Sequence, residues 1–188
     1  MEANNATDAP DEPQSEYVRL VCRRTEFRPV ETMNARWLDP QEDYELARVA
    51  WSSGMELSRE EWLGFWEQGY EYCGVVDHGL LLAHAAVWRY TDDAWELAAV
   101  GTLHEYRRQG LGKAVCSFAT SRIIDANRFA TCNIESVNVA MRRTATAIGF
   151  RVRLIRRTLR RSPSAPRGTQ TVPDCAASAP QDATNHYL

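Results

Sequence analysis

The chain has 188 residues and a formal net charge of −3, a length that, at roughly 100 to 200 residues per domain, allows one domain with tails and leaves little room for two. Hydrophobic residues make up 44% and charged residues 25%, which excludes a wholly disordered, collagen-like or coiled-coil chain. The small net charge conceals a split: residues 1–103 carry 8 arginines against 20 acidic residues, a balance of −12, whereas residues 104–188 carry 14 basic against 5 acidic residues, a balance of +9. The two halves are expected to face different partners.

Five cysteines, Cys22, Cys73, Cys116, Cys132 and Cys175, are odd in number and contain no C-x-x-C pair, so reduced intracellular thiols are the simplest reading and neither a zinc nor a redox site is suggested. The first 16 residues have no basic start and no apolar run, and no stretch of 18 apolar residues occurs; a signal peptide and a membrane span are not expected, and a cytoplasmic location is. The Asn5 sequon has no consequence without a secretory route. Residues 1–16 are acidic with little that is apolar, and residues 162–188 hold four of the eight prolines. Both are expected to be disordered tails, with the domain between residues 17 and 161.

Tyr17 to Cys22 reads as a peripheral strand and Met33 to Leu38 as a core strand running into a helix start, with Asp39 as N-cap, Pro40 at the first helical position and Glu42 three residues on. That helix should reach about Ala50. A second helix starts at Ser58, where Ser-x-x-Glu61 fits a capping box and Trp62, Phe65, Trp66 and Tyr70 share a face. Residues 72–76, 80–90 and 94–103 read as an antiparallel meander with short turns at 77–79 and 91–93. Gly110 to Ala126 is a predicted helix, Phe129 to Ile134 a strand, and Asn138 to Ile148 a helix with an Asn cap and Gly149 as its stop. Phe150, Val152 and Leu154 alternate with Arg151 and Arg153, a last strand with one wet face. These elements make one α/β domain, a mixed central sheet flanked by helices.

Where the meander's last strand ends, an arginine-rich turn with two glycines leads at once into a helix: Thr102-Leu-His-Glu-Tyr-Arg107-Arg108-Gln109-Gly110-Leu111-Gly112-Lys113. Free N–H groups at a helix N-terminus, glycines that admit close approach and the helix dipole make this an anion site. The dinucleotide fingerprint fails because Val115 stands where its third glycine belongs, and the P-loop fails at Arg107 and Ala114. Arg107-x-x-Gly110-x-Gly112 resembles the acetyl-CoA pyrophosphate loop of the GNAT N-acetyltransferase superfamily. The helix opened by Asn138 and closed by Gly149-Phe150 is similar to that family's next motif, and the order of elements from about Met33 to Leu154 agrees.

The resemblance implies acetyl-CoA as co-substrate, with no metal. The amides of Arg108, Gln109, Gly110, Leu111, Gly112 and Lys113 would hold the pyrophosphate, beside Arg107. Val100 and Thr102 would pair their backbone with the pantetheine arm, the Val100 N–H would polarise the thioester carbonyl, and Asn138 would contact the cofactor from the far side. Glu96, eleven residues before Arg107, stands where family members place a general base, and by strand alternation shares a face with Ala98, Val100 and Thr102. An amine must lose a proton before it attacks, and here the proton would reach Glu96 through ordered water. A charged residue on a solvated strand face is the competing reading. Many relatives carry a general-acid Tyr seven residues after the motif Asn; Ala145 stands there, leaving Tyr106, Ser136 and Thr144 as unranked alternatives. Cys132 reads as core rather than as an acyl-carrying nucleophile.

The first two helices bring together Glu42, Asp43, Glu45, Glu56, Glu60, Glu61, Glu67 and Glu71 with Trp51, Trp62, Trp66 and Tyr70. One reading is a groove for a cationic amine such as a polyamine, aminoglycoside or basic peptide. The other, favoured by the core spacing of the aromatics, is an ordinary charged helix face over an aromatic core. His78, His84 and His104 lack metal spacing and read as structural or solvent-facing. Six arginines between Arg151 and Arg161 raise a nucleic-acid module as a rival, but no aromatics interleave with them. A catalytically silent acyl-CoA sensor is the third class, and a homodimer is compatible with all of these.

Overall fold

The computed structural model describes residues 13–51 and 57–159; residues 13–16, expected in the N-terminal tail, open the first strand because they pair with the last one, and residues 1–12 and the whole expected tail 162–188 lie outside the described residues. The chain runs β1 (Pro13–Cys22), β2 (Arg36–Trp37), α1 (Tyr44–Trp51), α2 (Arg59–Glu67), β3 (Tyr70–Asp77), β4 (Leu80–Trp88), β5 (Ala94–Thr102), a 3-10 turn (His104–Tyr106), α3 (Leu111–Asp125), β6 (Phe129–Glu135), α4 (Val139–Ala147) and β7 (Arg151–Leu159). The strands form one mixed sheet in the order β2-β3-β4-β5-β6-β1-β7. This is the expected α/β architecture.

Two apolar layers sandwich the sheet. On one side Leu97, Leu82, Val87, Cys132, Ile134 and Phe150 pack against Val115, Cys116, Ala119 and Ile123 of α3. On the other, Ala47 and Trp51 of α1 and Trp62 of α2 cover Tyr72, Leu81 and Ala86. Trp51, Trp62 and Tyr72 meet mainly edge-on or tilted at centroid distances of 4.8 to 6.1 Å, the arrangement their ring quadrupoles favour. The aromatic residues of the first two helices are therefore core.

Several elements differ from expectation for identifiable reasons. β1 is not peripheral: it lies antiparallel between β6 and β7, Leu20 opposite Cys132 on one side and Val152 on the other. The core strand expected from residue 33 shrinks to Arg36–Trp37, because Met33 and Asn34 adopt left-handed φ of 50° and 59° and make a turn. Asp39 does accept the amides of Gln41 and Glu42, at 2.7 and 3.0 Å, but it caps a turn, and α1 begins only at Tyr44. The Ser58 capping box forms as expected, whereas α2 stops at Glu67 and Gly69, at φ +88°, turns the chain so that Tyr70 opens β3. β7 does not have one wet face: residues 151–155 are all exposed, with Val152, Leu154 and Ile155 about half accessible. An edge strand without a covering helix leaves both faces to solvent.

At the closing Gly-Phe pair, a Cβ on Gly149, itself at φ +108°, would lie 2.1 Å from the Glu26 carbonyl oxygen. Only glycine allows that approach. Phe150 behind it is fully buried.

Candidate active site

The sheet opens beside β5. β5 and β6 pair in parallel only from Ala94↔Phe129 to Glu96↔Thr131, and beyond Glu96 the strands part, so residues 97–102 keep β4 on one side and have no β6 partner among the described residues. A bulge sharpens the opening. His84 faces Gly101 and Ala86 faces Ala98, so a single β4 residue opposes Ala99 and Val100, and Ala99 takes φ +46°.

The bulge corrects the expected strand face. Simple alternation puts Glu96, Ala98, Val100 and Thr102 on one side, but the extra residue flips the pattern. Val100 packs with Leu97 toward α3, and Gly112 of α3 lies so close to Thr102 that a Cβ there would be 3.1 Å from its Oγ1. Glu96, adjacent to Leu97, points to the opposite face.

The turn after β5 is shaped for an anion. Arg108 and Gly110 sit at φ +64° and +88°, and Gly110 is the N-cap of α3; alternating left- and right-handed residues turn successive N–H groups toward one concavity. The Ala114 amide bonds back to the Gly110 carbonyl at 3.0 Å, which leaves the amides of Leu111, Gly112 and Lys113 ahead of it at the positive end of a 15-residue helix. Arg107, Arg108, Gln109 and Lys113 are exposed around this turn. Arg107 also donates its Nε to the Thr102 carbonyl at 3.3 Å, tying the turn to the strand end.

On the face opposite α3, Glu96 is 7% exposed. Asn133 donates its Nδ2 to Glu96 Oε2 at 2.9 Å, and Arg19 NH2 lies 3.7 Å from the same oxygen. Burial raises the Glu96 pKa above the ordinary carboxylate value, while Arg19 and Asn133 pull the other way. Arg19 is itself held by its Nε donating to Asn133 Oδ1 at 3.1 Å. Half-buried aromatics continue this face: Trp88 stands opposite Glu96 in the ladder, Tyr70 stacks on Trp88 at 5.3 Å and 2°, and the Tyr90 hydroxyl meets Thr131 Oγ1 at 3.2 Å. The arrangement is a carboxyl group kept from bulk water at the foot of an aromatic wall.

Comparison with known proteins bears on the fold. Residues 72–160 match the family model described as FR47-like protein. A GNAT-family protein from Novosphingobium aromaticivorans is 18% identical with a TM-score of 0.62, the match covering 75% of this chain and 61% of that one. An acetyltransferase of the GNAT family from Colwellia psychrerythraea gives 17%, 0.63, 79% and 57%, and the GCN5-related N-acetyltransferase from Kribbella flavida 22%, 0.56, 75% and 56%. The fold is like that of these three proteins. This chain spans 56–61% of the length of those three proteins, and no curated protein sequence matches it.

Among the expected GNAT positions, Asn138 caps α4, its Oδ1 accepting the Met141 amide at 3.0 Å, at the far end of β6 from the β5 pairing. Ala145 is fully buried and its carbonyl receives the Phe150 amide, so a tyrosine side chain has no space there. Tyr106 is half-buried in the 3-10 turn beside the anion loop, Ser136 follows β6, and Thr144 lies in α4. Burial first, and Glu96 second, hold the Cys132 thiol well above its ordinary pKa, which agrees with a core role. Among the described residues, no cluster of His, Cys, Asp and Glu could hold a metal ion, and no helix is long and apolar enough to cross a membrane.

Four of the eight acids expected to line the groove have partners within the chain. Asp43 forms a two-point pair with Arg36 at 2.7 Å, Glu45 pairs with Arg48, Glu61 closes the α2 cap, and Glu71 contacts Arg89 and Arg122. The sequence reading missed Arg19, Thr131 and Asn133 as neighbours of Glu96. Their only local signal is the polar half of the alternation in β6 and β1, which does not say which strand lies next door.

Proposed function

We propose that the chain is an acetyl-CoA-dependent N-acetyltransferase in which the unpaired half of β5 receives the pantetheine arm and the turn at residues 107–113 receives the pyrophosphate. The observation that carries this reading is the coincidence of the two: β5 loses its β6 partner after Glu96, and the chain that leaves it at Thr102 turns through left-handed Arg108 and Gly110 into the N-terminus of α3. Unpaired strand N–H and C=O groups suit an extended amide-containing arm, and the α3 terminus suits phosphate. Arg107, Arg108 and Lys113 add charge around the phosphates, and Asn138 approaches from the β6 side.

In the reaction, a neutral primary amine attacks the thioester carbonyl in a ternary complex, the C–N bond forms, and the C–S bond breaks to release the CoA thiolate. The Val100 N–H stabilises the developing oxyanion. Glu96 takes the ammonium proton, directly or through water, and its raised pKa brings its basicity closer to the working pH. The burial of Cys132 supports direct attack over an acyl-cysteine route. With Ala145 buried, the thiolate leaves unassisted or takes a proton from water, Tyr106, Ser136 or Thr144.

The acceptor is a primary amine on a small molecule or peptide. The partners held by Asp43, Glu45, Glu61 and Glu71 weaken the argument for a polycation, and the aromatic wall of Tyr70, Trp88 and Tyr90 becomes the better surface for its body. A second reading, an acyl-CoA sensor, draws on the missing acid at Ala145.

Thermal unfolding with acetyl-CoA at 100 times its dissociation constant tests the donor half: the expected stabilisation is about 2.7 kcal/mol. Free-thiol release with an amine panel tests the transfer. No shift with acetyl-CoA overturns the proposal; a shift with no thiol release from any amine moves the reading to the sensor. Salt-sensitive DNA or RNA binding without acetyl-CoA would favour the nucleic-acid class.

A further inference from the structure

Ala99 is a residue with a side chain, in the middle of a strand, at φ +46°. Such a conformation is strained and persists only where its surroundings over-determine it. The bulge also takes the Ala99 carbonyl out of the regular ladder, so it needs another donor.

That donor is His84. Its Nδ1 lies 2.8 Å from the Ala99 oxygen, and since a carbonyl only accepts, Nδ1 carries the hydrogen. The ring is fixed from three sides. One face stacks on Trp51 of α1 at 3.9 Å and 27°, the donor edge meets Ala99, and the Nε2 edge lies so close to Gly101 that a Cβ there would be 2.2 Å away. Gly101 is the residue that admits the ring. Burial lowers the His84 pKa to about 4, so at neutral pH the imidazole remains uncharged and the donating tautomer is constant.

We propose that His84 is a positioning residue for acyl transfer: by clamping the Ala99 carbonyl it holds the β5 bulge and so aims the Val100 N–H into the gap between β5 and β6. This rests on the reading of that gap as the thioester site. A histidine that merely fills core space would affect stability alone. A histidine that sets the bulge also sets the angle between the Val100 N–H and the carbonyl it polarises, and a misplacement of about 1 Å in such a group can lower turnover by roughly 10²-fold.

The test needs no acceptor. The carbonyl stretch of acetyl-CoA labelled with ¹³C at the carbonyl carbon is recorded bound to the wild type and to His84→Asn, His84→Gln and His84→Leu, alongside dissociation constants. The Asn carboxamide places its N–H near the position of Nδ1, whereas Gln places it one carbon farther. In the wild type the band should lie below that of free acetyl-CoA. His84→Asn should keep that position, and His84→Gln and His84→Leu should return most of the way to the free value, with dissociation constants changed by less than about threefold, well short of the roughly 10²-fold expected in turnover. If His84→Leu does not fold, the Asn and Gln pair decides. Identical band positions in Asn and Gln variants, or an unshifted His84→Leu, would overturn the role of His84. A wild type that binds no acetyl-CoA would overturn the thioester site itself and this proposal with it.

Discussion

At residues 94–96, β5 pairs with β6, with β4 joining on the other side at Glu96; at residues 97–102 it keeps β4 and loses β6. In the paired half the proposed reaction uses a side chain, Glu96, whose pKa burial raises and Arg19 and Asn133 pull back. In the free half the side chains pack toward α3, as at Leu97 and Val100, or toward the α1 and α2 layer, as at Ala99, or are absent, as at Gly101, and what is left at the open edge is backbone. One strand thus supplies a tuned carboxylate at one end and a row of donors and acceptors at the other. The division predicts that the two halves fail in different ways.

The largest expected effect belongs to the paired half. Glu96→Gln should lower turnover by about 10² to 10⁴-fold, measured with the best amine from the panel, while acetyl-CoA still stabilises the protein as in the wild type. An unchanged pH–rate profile in that variant would remove Glu96 as the base. The free half should respond in the opposite sense. Gly112→Val introduces a side chain where a Cβ alone would lie 3.1 Å from Thr102 Oγ1, and should abolish most of the roughly 2.7 kcal/mol of stabilisation by acetyl-CoA with the protein itself still folded.

How much of this division could be read from the chain depends on the range over which each feature is encoded. The turn at residues 107–113 was legible because Arg107, Gly110 and Gly112 act within one turn of chain, and so were the Ser58 cap and the Gly149 stop. The bulge was not: Ala99 has no intrinsic preference for positive φ, and what holds it is His84, fifteen residues away. The environment of Glu96 was harder still, since Asn133 reaches it only because β6 lies beside β5, and Arg19 only because β1 pairs with β6 across 114 positions, and such pairings leave no local mark. The same insertion put β1 at an interior position where isolated pattern suggested a peripheral strand.

Two smaller effects sharpen the comparison. Arg19 favours the charged form of Glu96, so Arg19→Met should move the acid limb of the pH–rate profile to higher pH: with its cation gone, Glu96 holds its proton longer and the base is lost sooner on acidification. A shift to lower pH, or none, would show that Arg19 does not act on the base. The smallest effect is expected from Arg107→Ala. That side chain is exposed and lies at the rim of the turn, and its loss should weaken acetyl-CoA binding by a few-fold, about 0.3 to 1 kcal/mol, and flatten the dependence of affinity on salt.

Amide hydrogen exchange along β5 and the following turn, with and without acetyl-CoA, tests the division most directly. The account predicts that saturating acetyl-CoA slows exchange at residues 97–102 and 108–113 and leaves residues 94–96, already paired with β6, unchanged. Protection that appears elsewhere, or not at all in residues 97–102 and 108–113, would contradict it.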